Sequence, residues 1–109
     1  MTGTPSDSLI FRRVLAATDV RPGHMRAVEL DGRSIVVCHT KDGWSALDNV
    51  CTHAHARMSE GRLRGHRLIC PLHGASFDCR SGTVLGPPAI EPLKTYPVRC
   101  VGEDLEVAV

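Results

Sequence analysis

Apolar and polar residues alternate along this chain in short bursts, and a period of two predicts β-strands rather than helices. The runs at 11–16, 25–30, 34–39 and 44–48 are separated by polar turn signals, among them Asp31-Gly32 and Asp42-Gly43, and read as hairpins. Further runs at 67–70, 75–79, 94–101 and 105–109 are divided by Gly74, Ser81-Gly82 and Gly102-Glu103-Asp104. Helical spacing shows only briefly, near 54–58. Pro97 interrupts the 94–101 run, and a proline cannot donate to a ladder, so that segment is expected at a sheet edge or a bulge. Gly86-Pro87-Pro88-Ala89 is too stiff and too poor in donors for a strand and is expected to be an extended surface loop. Many short strands with closely spaced turns predict an all-β fold, an antiparallel sandwich or small barrel.

Length and charge narrow the picture further. The 109 residues suit a single domain, 1–109, with one core. Thirteen Lys and Arg against 12 Asp and Glu leave a net charge of +1, which gives no reason to expect a nucleic acid or an anionic membrane as partner. The first eight residues are polar, without a signal-like apolar run, and no stretch is long enough to span a membrane. The five cysteines are odd in number and lack the spacing of a disulfide framework, which predicts a reducing compartment and a cytoplasmic protein.

The chemistry concentrates in two short motifs. Cys51-Thr52-His53 is followed, after 16 intervening residues, by Cys70-Pro71-Leu72-His73. Each half sets a soft thiolate and an imidazole on a loop between strands, as two loops would if they met to grip one inorganic core. A structural zinc is the alternative reading of a Cys₂His₂ set. Zinc fingers and ribbons, however, usually pair Cys with Cys and His with His at short spacing, whereas each motif here mixes the two.

The pattern resembles the Rieske family, over nearly the whole chain from the strand at Phe11 to that ending at Val109. Beyond the two motifs it includes Gly74, Phe77-Asp78, Ser81-Gly82 and the proline loop Gly86-Pro87-Pro88. The resemblance implies a Rieske-type fold whose cluster-binding subdomain, roughly 49–90, is formed by two loops. It implies one [2Fe–2S] cluster per chain, with Cys51 and Cys70 on one iron and His53 and His73 on the other, under a proline loop that limits water access. Two neutral imidazoles leave such a core less negative than four thiolates would, which raises its potential. The electron should settle on the imidazole-bound iron, and imidazoles reaching solvent would make the potential fall as pH rises.

High-potential members of the family carry two more cysteines that form a disulfide; Ala56 and Leu72 stand there in this chain. Ala75 and Phe77 replace a serine and a tyrosine that donate to sulfur in those members. The potential is therefore expected toward the lower end of the Rieske span of about −150 to +300 mV. Together these features resemble the Rieske ferredoxins of bacterial multicomponent oxygenase systems. Such a carrier takes electrons from an NAD(P)H-dependent flavoprotein ferredoxin reductase and passes them to a terminal oxygenase, here one acting on aromatic rings. It is not itself an enzyme and has no small-molecule substrate of its own; a second, mononuclear iron site would need a domain this chain has no room for. The alternatives are the Rieske-like small subunit of a larger reductase, such as a nitrite reductase, and a zinc-stabilised module without redox activity.

Other conspicuous residues have plainer readings. Cys38, Cys79 and Cys100 are expected to serve packing, Trp44 to anchor a core or an edge, and Thr52 and Pro71 to shape their loops. His55 is read as a surface neighbour of the site; His24, His39 and His66 have no ligand spacing. Arg57, Arg62, Arg64 and Arg67 form either a solvated hairpin face or a docking patch for an acidic partner.

Overall fold

The computed structural model describes residues 10–52 and 56–109. Among these residues eleven strands follow in chain order: β1 Phe11–Ala16, β2 Met25–Leu30, β3 Arg33–Thr40, β4 Gly43–Asp48, β5 Arg62–Arg64, β6 Arg67–Ile69, β7 Ser76–Asp78, β8 Val84–Gly86, β9 Thr95–Tyr96, β10 Val98–Val101 and β11 Asp104–Ala108. They form three antiparallel sheets ordered β1-β11-β10, β2-β3-β4-β9 and β5-β6-β7-β8. The first two sheets make a base; the third carries the second candidate ligand loop.

The β2–β3 hairpin turns at Asp31-Gly32, where both residues have positive φ (53° and 76°), as a two-residue turn matched to strand twist requires. Between β3 and β4 the turn falls on Lys41 and Asp42, because Gly43 already pairs with Thr40. The run at 94–101 splits at Pro97 into β9 and β10, which belong to different sheets and lie at an edge of each. The proline thus sits where the chain leaves one sheet for the other, and its carbonyl still accepts the N–H of Ala108 at 3.1 Å.

Two cores share β3. Val36 and Cys38 face one core with Leu47, Met58, Leu68, Phe77 and Cys79, while Ile35 and Val37 face the other with Ala46, Leu105 and Val107. All four β3 residues are fully buried. A strand covered on both faces reads as an unbroken apolar run instead of an alternating one, which is why Ile35-Val36-Val37-Cys38 has that form.

Three expectations need correction. Gly86, assigned to the proline loop, is the last residue of β8 and pairs with Ser76; of the loop that follows, Pro87 and Pro88 are exposed but Ala89 is buried. Of the 54–58 segment only 56–58 is described, and the single turn there is a 3₁₀ turn at Met58–Glu60. Cys100 does not pack: β10 is an edge strand, and Arg99, Cys100 and Val101 are all exposed.

Candidate metal centre

The two candidate loops close in the same way. The N–H of Cys51 donates to the carbonyl of Ala56 at 2.9 Å, and the N–H of Cys70 donates to the carbonyl of Ala75 at 2.7 Å. Each loop therefore begins on its cysteine and returns five residues later. Strand pairing holds both stems, Val50 with Arg57 in the first loop and Ile69 with Ser76 in the second. Gly61 makes room for this arrangement, since a Cβ there would collide with the carbonyl of Ile69, directly before Cys70.

Both cysteines are buried in the same core, near enough for Cys51 to act on the Cys70 thiol. Burial pushes the Cys70 thiol above its ordinary range, the Leu72 N–H directed at its sulfur opposes this, and the neighbouring Cys51 thiol adds to it. Two desolvated cysteines in one core, each at the root of a loop closed in the same way, suit an iron bound by two thiolates. His73 is exposed and holds a left-handed backbone with φ 61°, followed by Gly74 at 72°. That conformation is uncommon for a residue with a side chain and costs roughly 1 kcal/mol or more, so the hairpin imposes it. His53 and His55 lie outside the described residues. Among those described, no three His, Cys, Asp or Glu side chains converge as a mononuclear metal would require; of the four predicted ligands, the structure brings Cys51 and Cys70 together.

Ala75 and Phe77 are fully buried in the core beside the two cysteines, and neither side chain carries a donor. Ser76, on the opposite face of β7, accepts from the Arg67 guanidinium at 2.7 Å. Thr52 ties the first loop to the segment after the prolines, its hydroxyl donating to the Glu91 carbonyl at 2.7 Å.

Asn49, missed by the sequence reading, is fully buried two residues before Cys51. Its Nδ2 donates to Ser34 Oγ at 3.1 Å, and its backbone carbonyl accepts the Met58 N–H at 2.6 Å. A lone amide between a strand and a ligand motif was the available signal.

Around this end of the molecule the surface is apolar at Val50, Leu72, Leu85 and Ile90. Arg57, Arg62 and Arg64 are exposed and make no ion pair among the described residues. Two of the remaining histidines have local side-chain partners. His39 stacks on Trp44 with centroids 3.8 Å apart and its Nδ1 meets the Val20 carbonyl at 2.7 Å. His66 Nε2 lies 2.7 Å from Asp42 Oδ2, close enough for an ion pair but without hydrogen-bond alignment. Among the described residues no helix is long and apolar enough to cross a membrane.

The three-sheet β fold and the spacing of the two Cys–His motifs agree with an iron–sulfur class of protein. The chain belongs to the Rieske [2Fe–2S] domain family, which it matches over residues 11–97. It is 37% identical over 95 residues to the ferredoxin component of the naphthalene 1,2-dioxygenase system of Pseudomonas putida, covering 87% of this chain and 89% of that one. It is 34% identical over 100 residues to the biphenyl dioxygenase ferredoxin subunit of Pseudomonas sp. strain KKS102, covering 91% and 92%. Among solved structures it is similar to a chain in the complex of reduced oxygenase and oxidized ferredoxin in carbazole 1,9a-dioxygenase, with a TM-score of 0.86, 34% identity and coverage of 91% and 93%.

Proposed function

We propose that this protein is a Rieske ferredoxin, a carrier of single electrons from an NAD(P)H-dependent flavoprotein reductase to a terminal oxygenase that acts on aromatic rings. In this reading one [2Fe–2S] cluster per chain is held by Cys51 and Cys70 on one iron and by His53 and His73 on the other, within a single domain whose cluster-binding part spans 49–90. The observation that carries it is the burial of Cys51 and Cys70 in one core, each at the root of a loop closed in the same way. Naphthalene and biphenyl dioxygenase ferredoxins among the relatives support the choice of partner. The free cysteines suit a reducing cytoplasm.

The cluster, when bound, supplies a reversible one-electron couple. The chain's own residues do the rest. Cys51 and Cys70 face the core, so their sulfurs are shielded from water. His73, exposed on its loop, presents an imidazole to a docking partner. Val50, Leu72 and Ile90 offer a surface that a partner can dehydrate, and the exposed Arg57, Arg62 and Arg64, without an ion pair among the described residues, favour an acidic face on that partner. The protein is thus a carrier rather than an enzyme.

Absorption and EPR spectra of the purified and dithionite-reduced protein, with iron and acid-labile sulfide counted per chain, test this reading. Two irons and two sulfides per chain are expected, with Cys51→Ser or Cys70→Ser losing both; zinc, or no sulfide after anaerobic reconstitution, would overturn it.

A further inference from the structure

Cys38 and Cys79 are a second pair of thiols, outside both candidate ligand loops. Cys38 lies on β3 of the base, and Cys79 directly follows β7 of the loop-bearing sheet. Neither has exposed surface, and both face the same core. Each thiol shifts the titration of the other, and Ser45 shifts that of Cys79, as neighbouring side chains in one core do. Ser45 is in turn the cross-strand partner of Cys38. The strand register and these mutual effects therefore place these three side chains together where the two sheets meet, and both thiols are free.

The pair is polarised. Hydrogen bonds from Cys38 and then from Ser45 lower the Cys79 thiol below its ordinary value against the effect of burial, while the contact with Cys79, and then burial, raise Cys38. Cys79, the thiol that Ser45 also acts on and the one of the two that lines a cavity, is assigned as the nucleophile. A cavity of about 290 Å³ has Cys79 among its lining residues, with Ser45, Arg80, Tyr96 and Pro97, and peroxide entering it reaches the covered sulfur once these side chains part. That volume is ample for a molecule little larger than water.

We propose that Cys38 and Cys79 are an oxidation site for hydrogen peroxide, closing into a disulfide that joins the loop-bearing sheet to the base. The Cys79 thiolate attacks one peroxide oxygen and the O–O bond breaks; the departing hydroxide takes up a proton and leaves as water, and Cys79 becomes a sulfenic acid. The Cys38 thiol gives up its proton as its sulfur attacks Cys79 Sγ, the S–O bond breaks, and a second water departs. Two thiols lose two electrons and one peroxide gains them. The bond so formed between the sulfurs is about 2.05 Å long.

The ring so closed encloses 39–78, and with it Cys51, His53, Cys70 and His73. A cross-link around that segment restricts the unfolded chain, so β3 and β7 stay together even when the metal centre has been lost.

The test uses the purified, cluster-containing protein carrying Cys100→Ser, which removes the exposed thiol that could link two molecules. Increasing peroxide is followed by denaturation, alkylation, digestion and mass spectrometry. A cross-linked peptide joining Cys38 to Cys79, lighter by two hydrogens and reversed by dithiothreitol, is expected before the visible absorption is lost. The oxidised protein is expected to melt several degrees higher than the reduced one, and Cys79→Ala, or Cys38→Ala should that variant not fold, to abolish the rise. Full alkylation of Cys38 and Cys79 at every dose up to bleaching, or a cross-link confined to Cys51 and Cys70, would overturn the proposal.

Discussion

The side-chain oxygen of Asn49 accepts the backbone N–H of Ser59 at 2.7 Å, fastening the far stem of the first loop to the end of β4. Since the same amide donates to Ser34, one buried side chain joins β3, β4 and the 3₁₀ turn. Asn49→Ala would leave the Ser59 N–H unsatisfied and open a small void, at a cost of about 2–3 kcal/mol. A lower denaturation midpoint and reduced iron content are expected. Ser34→Ala, which removes only the weaker partner, should cost about 1 kcal/mol or less, and equal effects from the two variants would show that the amide does not hold the loop.

Ala75 and Phe77 leave the neighbouring sulfurs without hydroxyl donors. Ala75→Ser or Phe77→Tyr should raise the reduction potential, because a donor stabilises the more negative reduced state. A hydrogen bond of about 1 kcal/mol corresponds to about 40 mV for one electron. Protein-film voltammetry at pH 7 reads the shift; a fall in potential with the cluster intact would contradict the assignment of these positions.

Charge reversal at Arg57 or Arg64 should slow electron transfer from the reductase or to the oxygenase several-fold at low ionic strength and flatten its salt dependence. Stopped-flow rates across a salt series make the comparison. Unchanged rates and slopes would leave the arginines as a solvated hairpin face.

Asp78 receives two hydrogen bonds from the Arg80 guanidinium and one from the Arg80 N–H. The guanidinium contact, ahead of the backbone bond and against burial, holds the carboxyl down to about 2 from an ordinary value of 3.8. A depressed folded-state pKa contributes stability above the unfolded value that is lost as pH falls from about 3.8 through about 2. With Arg80 more than half exposed, solvent screening limits the gain to about 1 kcal/mol or less. Asp78→Asn should therefore lower the urea midpoint slightly at pH 7, and its difference from the parent should shrink below pH 4; a difference growing on acidification would reverse the sign assigned here.

Much of this architecture could be read from local pattern. The strands at 11–16 and 25–30, the Asp31-Gly32 turn and the break at Pro97 each follow from what neighbouring residues permit. Arg62–Arg64 and Val84–Gly86 were not read as strands, because three residues are too few to show a period and one run is mostly charged. The ligand motifs were visible as spacing, and the matching loop closures were not, since hydrogen bonds to Ala56 and Ala75 leave no trace in residue type. Asn49 and the Cys38–Cys79 contact depend on which distant segments meet. Ser34 and Ser59, or β3 and the end of β7, come together only once the sheets have formed.

Because Ile35 and Val37 belong to one core while Val36 and Cys38 belong to the other, β3 is a common wall, and neither compartment can melt without stripping one of its sides. Loss of the metal centre and collapse of the base should accordingly register as a single calorimetric event. A conservative change on either side of that wall, Ile35→Val or Val36→Ala, should lower the temperature of that one event and leave it undivided.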